Sequence, residues 1–325
     1  MRGLNWFAGL APLGFLLAAT FGDAATTTVM VAADGSGEFK SIQEAINAAP
    51  QLTRAEETWI IHIKPGTYRE QIYVMREKRF VRLMGDDPDH TIIAGSLYAG
   101  ILGPDGQPIG TFRTPTMWID ADDFTVKGLT IANTAGAVGQ ALAVRVDGDR
   151  VVFRHCRFEG WQDTLLSNRG RHYYEQCRIT GAVDFIFGGG TDYFQACEII
   201  CSGDGYITAA STLPYDDYGF VFAGCRITGT NPGVRTYLGR PWRAFASVTF
   251  VNTEMSEVVR PEGWHNWDRP EREKSSRYGE SNSRGPGAAP AARVPWAGRL
   301  GPVATAKLTP DKVLAGRDGW NPAAP

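Results

Sequence analysis

Short bursts of alternating apolar and polar positions recur along the middle of the chain. Phe153-Arg-His-Cys156-Arg-Phe158, Tyr174-Glu-Gln-Cys177-Arg-Ile179, Phe194-Gln-Ala-Cys197-Glu-Ile199 and Phe222-Ala-Gly-Cys225-Arg-Ile227 follow one pattern, with weaker copies at Phe124–Ile131 and Phe250–Thr253. Alternation of this kind, closed by Gly, Asn or Asp, predicts short strands separated by turns. The first three cysteines are 21 and 20 residues apart and the next step is 28. Strands at a period near 20–25 residues, with no helical pattern between them, predict a β-solenoid. A single coil cannot bury its inward face, so the coils must stack. Stacking turns Cys156, Cys177 and Cys197 into an inward ladder of small apolar side chains, a role that needs no disulfide.

The ends read differently. Ser41-Ile-Gln-Glu44 is a capping box that opens a helix running through Ala49 and stopped by Pro50. Such a helix can cover the open edge of the first coil. Residues 269–293, rich in Arg, Glu, Ser, Gly and Pro, read as a long surface loop. Thr309–Leu314 predicts a last short helix before Gly316. No linker divides the chain, so residues 25–325 form one domain. Ahead of it, Arg2, the apolar run Trp6–Thr20 and the small residues Gly22 and Ala24 predict an export signal over residues 1–24. The run is shorter than the ~20 apolar residues of a membrane span. The expectation is a secreted protein, extracellular or periplasmic, with no membrane attachment after cleavage.

Composition narrows the function classes. The 325 residues carry 33 basic and 35 acidic side chains, a net charge of −2, which lacks the basic surplus of a nucleic-acid binder. Five cysteines, an odd number without a CxxC pair, leave at least one thiol unpaired. His62, His90, His155, His172 and His265 show no metal-ligand spacing, and His155 and His172 read as strand-surface residues. No G-x-S-x-G elbow is present. No cofactor or metal is expected, and a monomer is.

The densest polar cluster is Gly160-Trp-Gln-Asp-Thr-Leu165 with Val183-Asp-Phe-Ile-Phe-Gly188. Asp163 and Asp184 are 21 residues apart, the same interval as Cys156 and Cys177, so they hold one place on consecutive coils. Strands stack ~4.8 Å apart. Two charges about 5 Å apart repel by roughly 3 kcal/mol at an effective dielectric of 20, so one carboxyl stays protonated while its neighbour ionises. A solvated or calcium-binding aspartate ladder would have the same spacing. Leu238-Gly-Arg-Pro-Trp242 adds an arginine able to fix and ionise one aspartate, and an indole able to stack on a sugar ring.

These segments, with Gln140-Ala-Leu-Ala-Val144, Gly35–Phe39, Pro65–Glu70, Asn133–Gly136 and Pro261–Trp264, resemble the signature segments of the pectin methylesterases, in order from about residue 30 to the C-terminus. The resemblance implies a right-handed parallel β-helix that hydrolyses the methyl esters of polygalacturonate, with methylated homogalacturonan as the partner. It implies that Asp184 is the nucleophile and Asp163 the acid that protonates methanol and then activates water. It further implies that Gln140 and Gln162 hold the oxyanion, that Arg240 orients the nucleophile, and that Trp242 stacks on substrate. Thr111 matches a substrate-contacting threonine, and Phe187 and Trp264 match cleft aromatics. Leu166 departs from the tyrosine that many plant members carry there, and the chain has no counterpart of their inhibitor-like pro-region. The alternatives are a β-helical esterase or thioesterase on another acyl substrate, a β-helical lyase or glycosidase, and a non-catalytic carbohydrate-binding β-helix.

Overall fold

The computed structural model describes residues 26–52 and 54–324; the proposed signal, residues 1–24, lies outside them. Each coil contributes strands to three faces. One face is an 11-stranded sheet in which Phe153, Tyr174, Phe194, Phe222 and Phe250 occupy one register position on successive coils. The other two faces are joined into a 13-stranded sheet by two long strands, Arg178–Gly188 and Glu198–Ala210, which bend from one face to the next. Every pairing between these strands is parallel, and the architecture is the parallel β-helix that the sequence period predicts.

The repeating cysteine segments are not single strands. Each is a strand, a two-residue turn and the next strand: Val151–Arg154 ends one face, His155 and Cys156 make the turn, and Arg157–Glu159 begins the following face. His155, Gln176, Ala196 and Asn252 all adopt left-handed backbone there, with φ of 49–52°. Such a residue reverses the alternation, so the cysteine after it points inward. His155 is therefore an exposed turn residue rather than part of a strand surface.

Two ladders fill the interior. The rings of Phe153, Tyr174, Phe194, Phe222 and Phe250 stack nearly parallel at centroid spacings of 5.1, 4.5, 4.3 and 4.5 Å, close to the spacing of the coils. Cys156, Cys177, Cys197 and Cys225 are buried free thiols, and each Sγ donates to a carbonyl of the preceding coil. The predicted cysteine ladder is thus present and extends to Cys225. The aromatic ladder beside it went unpredicted.

His172 is also not a strand-surface residue. It is fully buried, its Nδ1 lying 2.7 Å from Ser167 Oγ and 2.9 Å from Asp192 Oδ1, and its Nε2 lying 2.9 Å from the Gly148 carbonyl. Burial disfavours the charged imidazole, but the charge and hydrogen bond of Asp192 outweigh it and raise the pKa.

The caps follow the sequence reading with one correction. Ile42–Ala48 is helical, and Ile42, Ala45 and Ile46 close the N-terminal end of the core. Ser41 Oγ accepts from the Glu44 N–H as a capping box requires, while the Glu70 carboxylate takes the Ile42 and Gln43 N–H groups. Pro310–Val313 forms the expected last helix. Residues 269–293, however, are not all loop: Arg277–Ser281 is a strand that adds a further coil and buries Tyr278.

The ring ladder sets a test of stability. Phe194 sits between two stacked rings and is fully buried. Phe194→Ala should cost about 3–5 kcal/mol, read as a lower urea midpoint at unchanged m-value. A loss below about 1 kcal/mol would show that neighbouring rings close the gap.

Candidate active site

The candidate cluster grows from coil register on the third face. Val144, Leu165, Ile186, Thr208 and Gly239 succeed one another on five coils. Just before this ladder, Gln140 bridges to Gln162 and Gln162 to Val183. One residue beyond the last two come Asp163 and Asp184, so the equal-spacing argument from sequence has its structural counterpart. Both aspartates are in the left-handed region, with φ of 63° and 50°. That conformation is costly away from Gly, Asn and Asp. Here it recurs at one coil position, with the Asp163 N–H donating to the Val183 carbonyl at 3.0 Å.

The two carboxyls are nearly buried, Asp163 at 8 % and Asp184 at 6 % exposure, yet their surroundings differ. Asp184 receives a side-on bidentate pair from Arg240, Nε to Oδ1 at 2.9 Å and Nη2 to Oδ2 at 2.7 Å. Among the described residues Asp163 has no such partner. Burial, reinforced by the charge of Asp184, pushes Asp163 up to about 8, against a smaller opposing effect of Arg240. Burial also raises Asp184, but the hydrogen bonds and charge of Arg240 oppose it. The pair therefore carries its proton on Asp163 and its negative charge on Asp184.

Arg240 is delivered by the Thr236–Gly239 strand. The Arg240 N–H donates to the Thr208 carbonyl at 2.9 Å, and the Trp242 N–H to the Ala210 carbonyl at 3.0 Å. Gly239 is required by close approach, because a β-carbon there would collide with Thr208 Oγ1. Pro241 then ends the ladder and turns Trp242 over the face.

The remaining sequence candidates divide. Phe187 and Trp242 meet at 5.8 Å between ring centroids, and with Leu142, Leu166, Ala209 and Trp267 they form an apolar cluster beside the aspartates. Leu166 is fully buried within this cluster. Thr111 opens a 3-10 turn, Thr111–Arg113, whose Phe112 carbonyl accepts from Arg145 on the same face. The side-chain amides of Gln140 and Gln162 are half-buried and have no protein partner among the described residues.

Trp264 requires correction. It is 1 % exposed, packed on Phe250 and Tyr278 inside the core, because its strand-like bridge to Gly239 points it inward. Trp267, three residues later, is the aromatic at the site, with its ring centroid 3.7 Å from the Arg240 guanidinium carbon. Tyr206 lies 3.8 Å from the same carbon and was also missed. Its signal was present in the pairing Val183↔Tyr206, one coil beyond Asp184, but extra residues before Tyr206 break the period.

Among the described residues no group of three or more His, Cys, Asp or Glu is placed to hold a metal ion, and no helix is long and apolar enough to cross a membrane. A carboxylate held by arginine, a protonated carboxyl beside it and two uncommitted amides suit acyl transfer.

Comparison with known proteins agrees with this geometry. The family profile described as Pectinesterase matches residues 28–317. Pectinesterase 31 of Arabidopsis thaliana is 38 % identical over 288 residues, covering 85 % of this chain and 89 % of that protein. Pectinesterase 4 of the same plant is 39 % identical over 286 residues, 83 % of this chain but 47 % of the longer relative. Among solved structures, the pectin methylesterase from carrot superposes with a TM-score of 0.83 at 33 % identity, covering 89 % of this chain and 93 % of that one. PemA from Erwinia chrysanthemi gives 0.77 at 30 %, covering 92 % and 98 %. With its β-helix and these matches along nearly the whole described chain, the protein belongs to the pectinesterase family.

Proposed function

We propose that this chain hydrolyses the methyl esters of polygalacturonate, releasing methanol and leaving free uronate carboxylates, with Asp184 as nucleophile and Asp163 as acid and base. The observation that carries the reading is the asymmetry of the carboxyl pair, one bound side-on by Arg240 and the other raised to about 8. The substrate follows from the family. Two solved relatives are pectin methylesterases in complex with hexasaccharides.

The chemistry proceeds in two halves. Asp184 attacks the ester carbonyl carbon, and the amides of Gln140 and Gln162 receive the developing oxyanion. Collapse breaks the bond to methoxide, which takes the proton of Asp163 and departs as methanol. The resulting mixed anhydride on Asp184 is hydrolysed by water. Asp163, now a carboxylate, removes the proton from that water, and Asp184 leaves as the ionised carboxylate. Trp242, Phe187 and Thr111 line the path of the uronate chain. The export segment and family both suit an enzyme acting outside the cell on wall polysaccharide.

Methanol release from highly methylated pectin, with chain length followed in parallel, tests the reaction. Methanol without shortening is expected, and depolymerisation would overturn it. Asp184→Asn should abolish turnover while the far-UV spectrum of a β protein is kept. In the same variant the Asp163 pKa should fall below about 8, because the neighbouring charge is gone while Arg240 remains. Carboxyl NMR reads that shift, and an unmoved Asp163 would show that the pair is uncoupled.

Two further outcomes follow from the assigned roles. Gln162→Ala should lower kcat by about 10²–10³, as loss of one oxyanion donor does, and near-wild-type kcat would remove Gln162 from the hole. Because Asp163 must be protonated to release methanol, kcat/KM should fall as pH rises through about 8. A rate that keeps rising beyond that range would exclude Asp163 as the acid.

A further inference from the structure

Arg240 is held in its own plane by Asp184 and across that plane by two aromatic faces. Its guanidinium carbon lies 3.8 Å from the centroid of the Tyr206 ring and 3.7 Å from that of Trp267. The cation is therefore confined between two plates while Nε and Nη2 meet the two oxygens of Asp184. Each plate has its own support. Tyr206 stacks on Tyr237, with centroids 5.4 Å apart and planes 13° apart, and the Arg260 guanidinium lies 5.1 Å from the far ring. Trp267 occupies left-handed backbone, φ 63°, which a bulky residue adopts only under constraint. Its N–H donates to His265 Nδ1 at 3.0 Å, and the His265 ring packs on both Tyr206 and Tyr237. One imidazole thus ties the outer plate to the stack behind the inner one.

We propose that Tyr206 and Trp267 are positioning residues for the reaction, acting together as a clamp that fixes the Arg240 fork against the nucleophile. The proposal rests on the assignment of Asp184 as nucleophile. A free arginine samples many rotamers, and a carboxylate held by a wandering cation is neither aimed nor fully stabilised as an anion. Ring faces attract the cation most where water is excluded, and the indole and phenol exclude it from both sides. They need not touch the ester to do so. Their effect is on the direction and ionisation of Asp184, which makes it an effect on kcat more than on substrate affinity.

The test replaces each plate by Ala and by Phe in the full chain and measures methanol release across pH. Tyr206→Ala should lower kcat about thirtyfold, the equivalent of one well-desolvated cation–ring contact, with KM changed less than about threefold. The acid limb of the kcat profile should move to higher pH, because a loosened Arg240 stabilises ionised Asp184 less. The other groups facing this site are Asp163, Tyr278 on a strand of the 11-stranded sheet, whose ionisation is opposed first by burial and then by the charge of Asp184, and His265 beside the plates. None of them is altered by the substitution. Tyr206→Phe keeps the ring face and should restore both kcat and the acid limb. Trp267→Ala and Trp267→Phe repeat the comparison from the solvent side, and they decide the matter if Tyr206→Ala does not fold. An acid limb and kcat unchanged in the folded Ala variants would overturn the clamp, as would Phe variants as impaired as the Ala ones. If Asp184→Asn itself retains turnover, the underlying assignment fails instead, whatever the plates do.

Discussion

The register of hydrogen bonds between coils is the constraint on which the rest depends. Parallel strands repeat at about 4.8 Å, so any residue kept at one coil position meets its counterpart at that distance. In the interior the rule stacks rings and thiols, and burial rewards it. On the third face it brings Asp163 beside Asp184, where two charges in a nearly buried setting cannot both persist. The fold thus forces a shared proton on the pair, and Arg240 decides which aspartate loses it. The asymmetry of the pair arises from one arginine added to a symmetric scaffold.

Rigidity at the site has the same source. The aspartates stand on left-handed backbone that a free peptide would leave, and each is held because the coil on either side is in ladder contact. Strain of this kind survives only where the surroundings over-determine it. The ring ladder and the cysteines behind the strands provide that surrounding. Gln140 and Gln162 are presented by the same ladder one residue earlier, and would be preorganised in the oxyanion role proposed for them.

Much of this was legible where the chain is strictly periodic. Asp163 and Asp184 announce themselves by sharing the 21-residue interval of Cys156 and Cys177, and Arg240 by its Gly and Pro neighbours. Legibility ends where the period breaks. The strand Glu198–Ala210 pairs Gly181 with Cys201 but Val183 with Tyr206, so its extra residues displace Tyr206 from the count that would have found it. Trp264 and Trp267 lie in a turn with no repeat to say which faces inward, and the motif match fell on the buried one. Arg277–Ser281 carries too few apolar residues to read as a strand, since only Tyr278 and its neighbours meet the core. His172 is hidden for the opposite reason. Its strand, Arg-His-Tyr-Tyr-Glu, looks polar, and only the next coil supplies the aspartate that makes burial tolerable.

The two buried acidic centres differ in what holds their charge. Asp192 is wholly buried against His172 and Ser167, and those two already satisfy one another and the Gly148 carbonyl. Its counter-charge comes from a titratable group that burial alone would neutralise, and no face of the pair opens to the cleft. Asp184 is paired with a guanidinium that stays charged at any working pH, and its neighbour is an acid rather than a base. Ionisation at Asp184 is therefore secured from one side while a proton donor waits on the other. An imidazole in place of Arg240 would share its proton with the carboxylate and leave its charge incomplete. The choice of arginine, fixed in plane by the carboxylate and across it by two rings, separates a stored charge from a usable one.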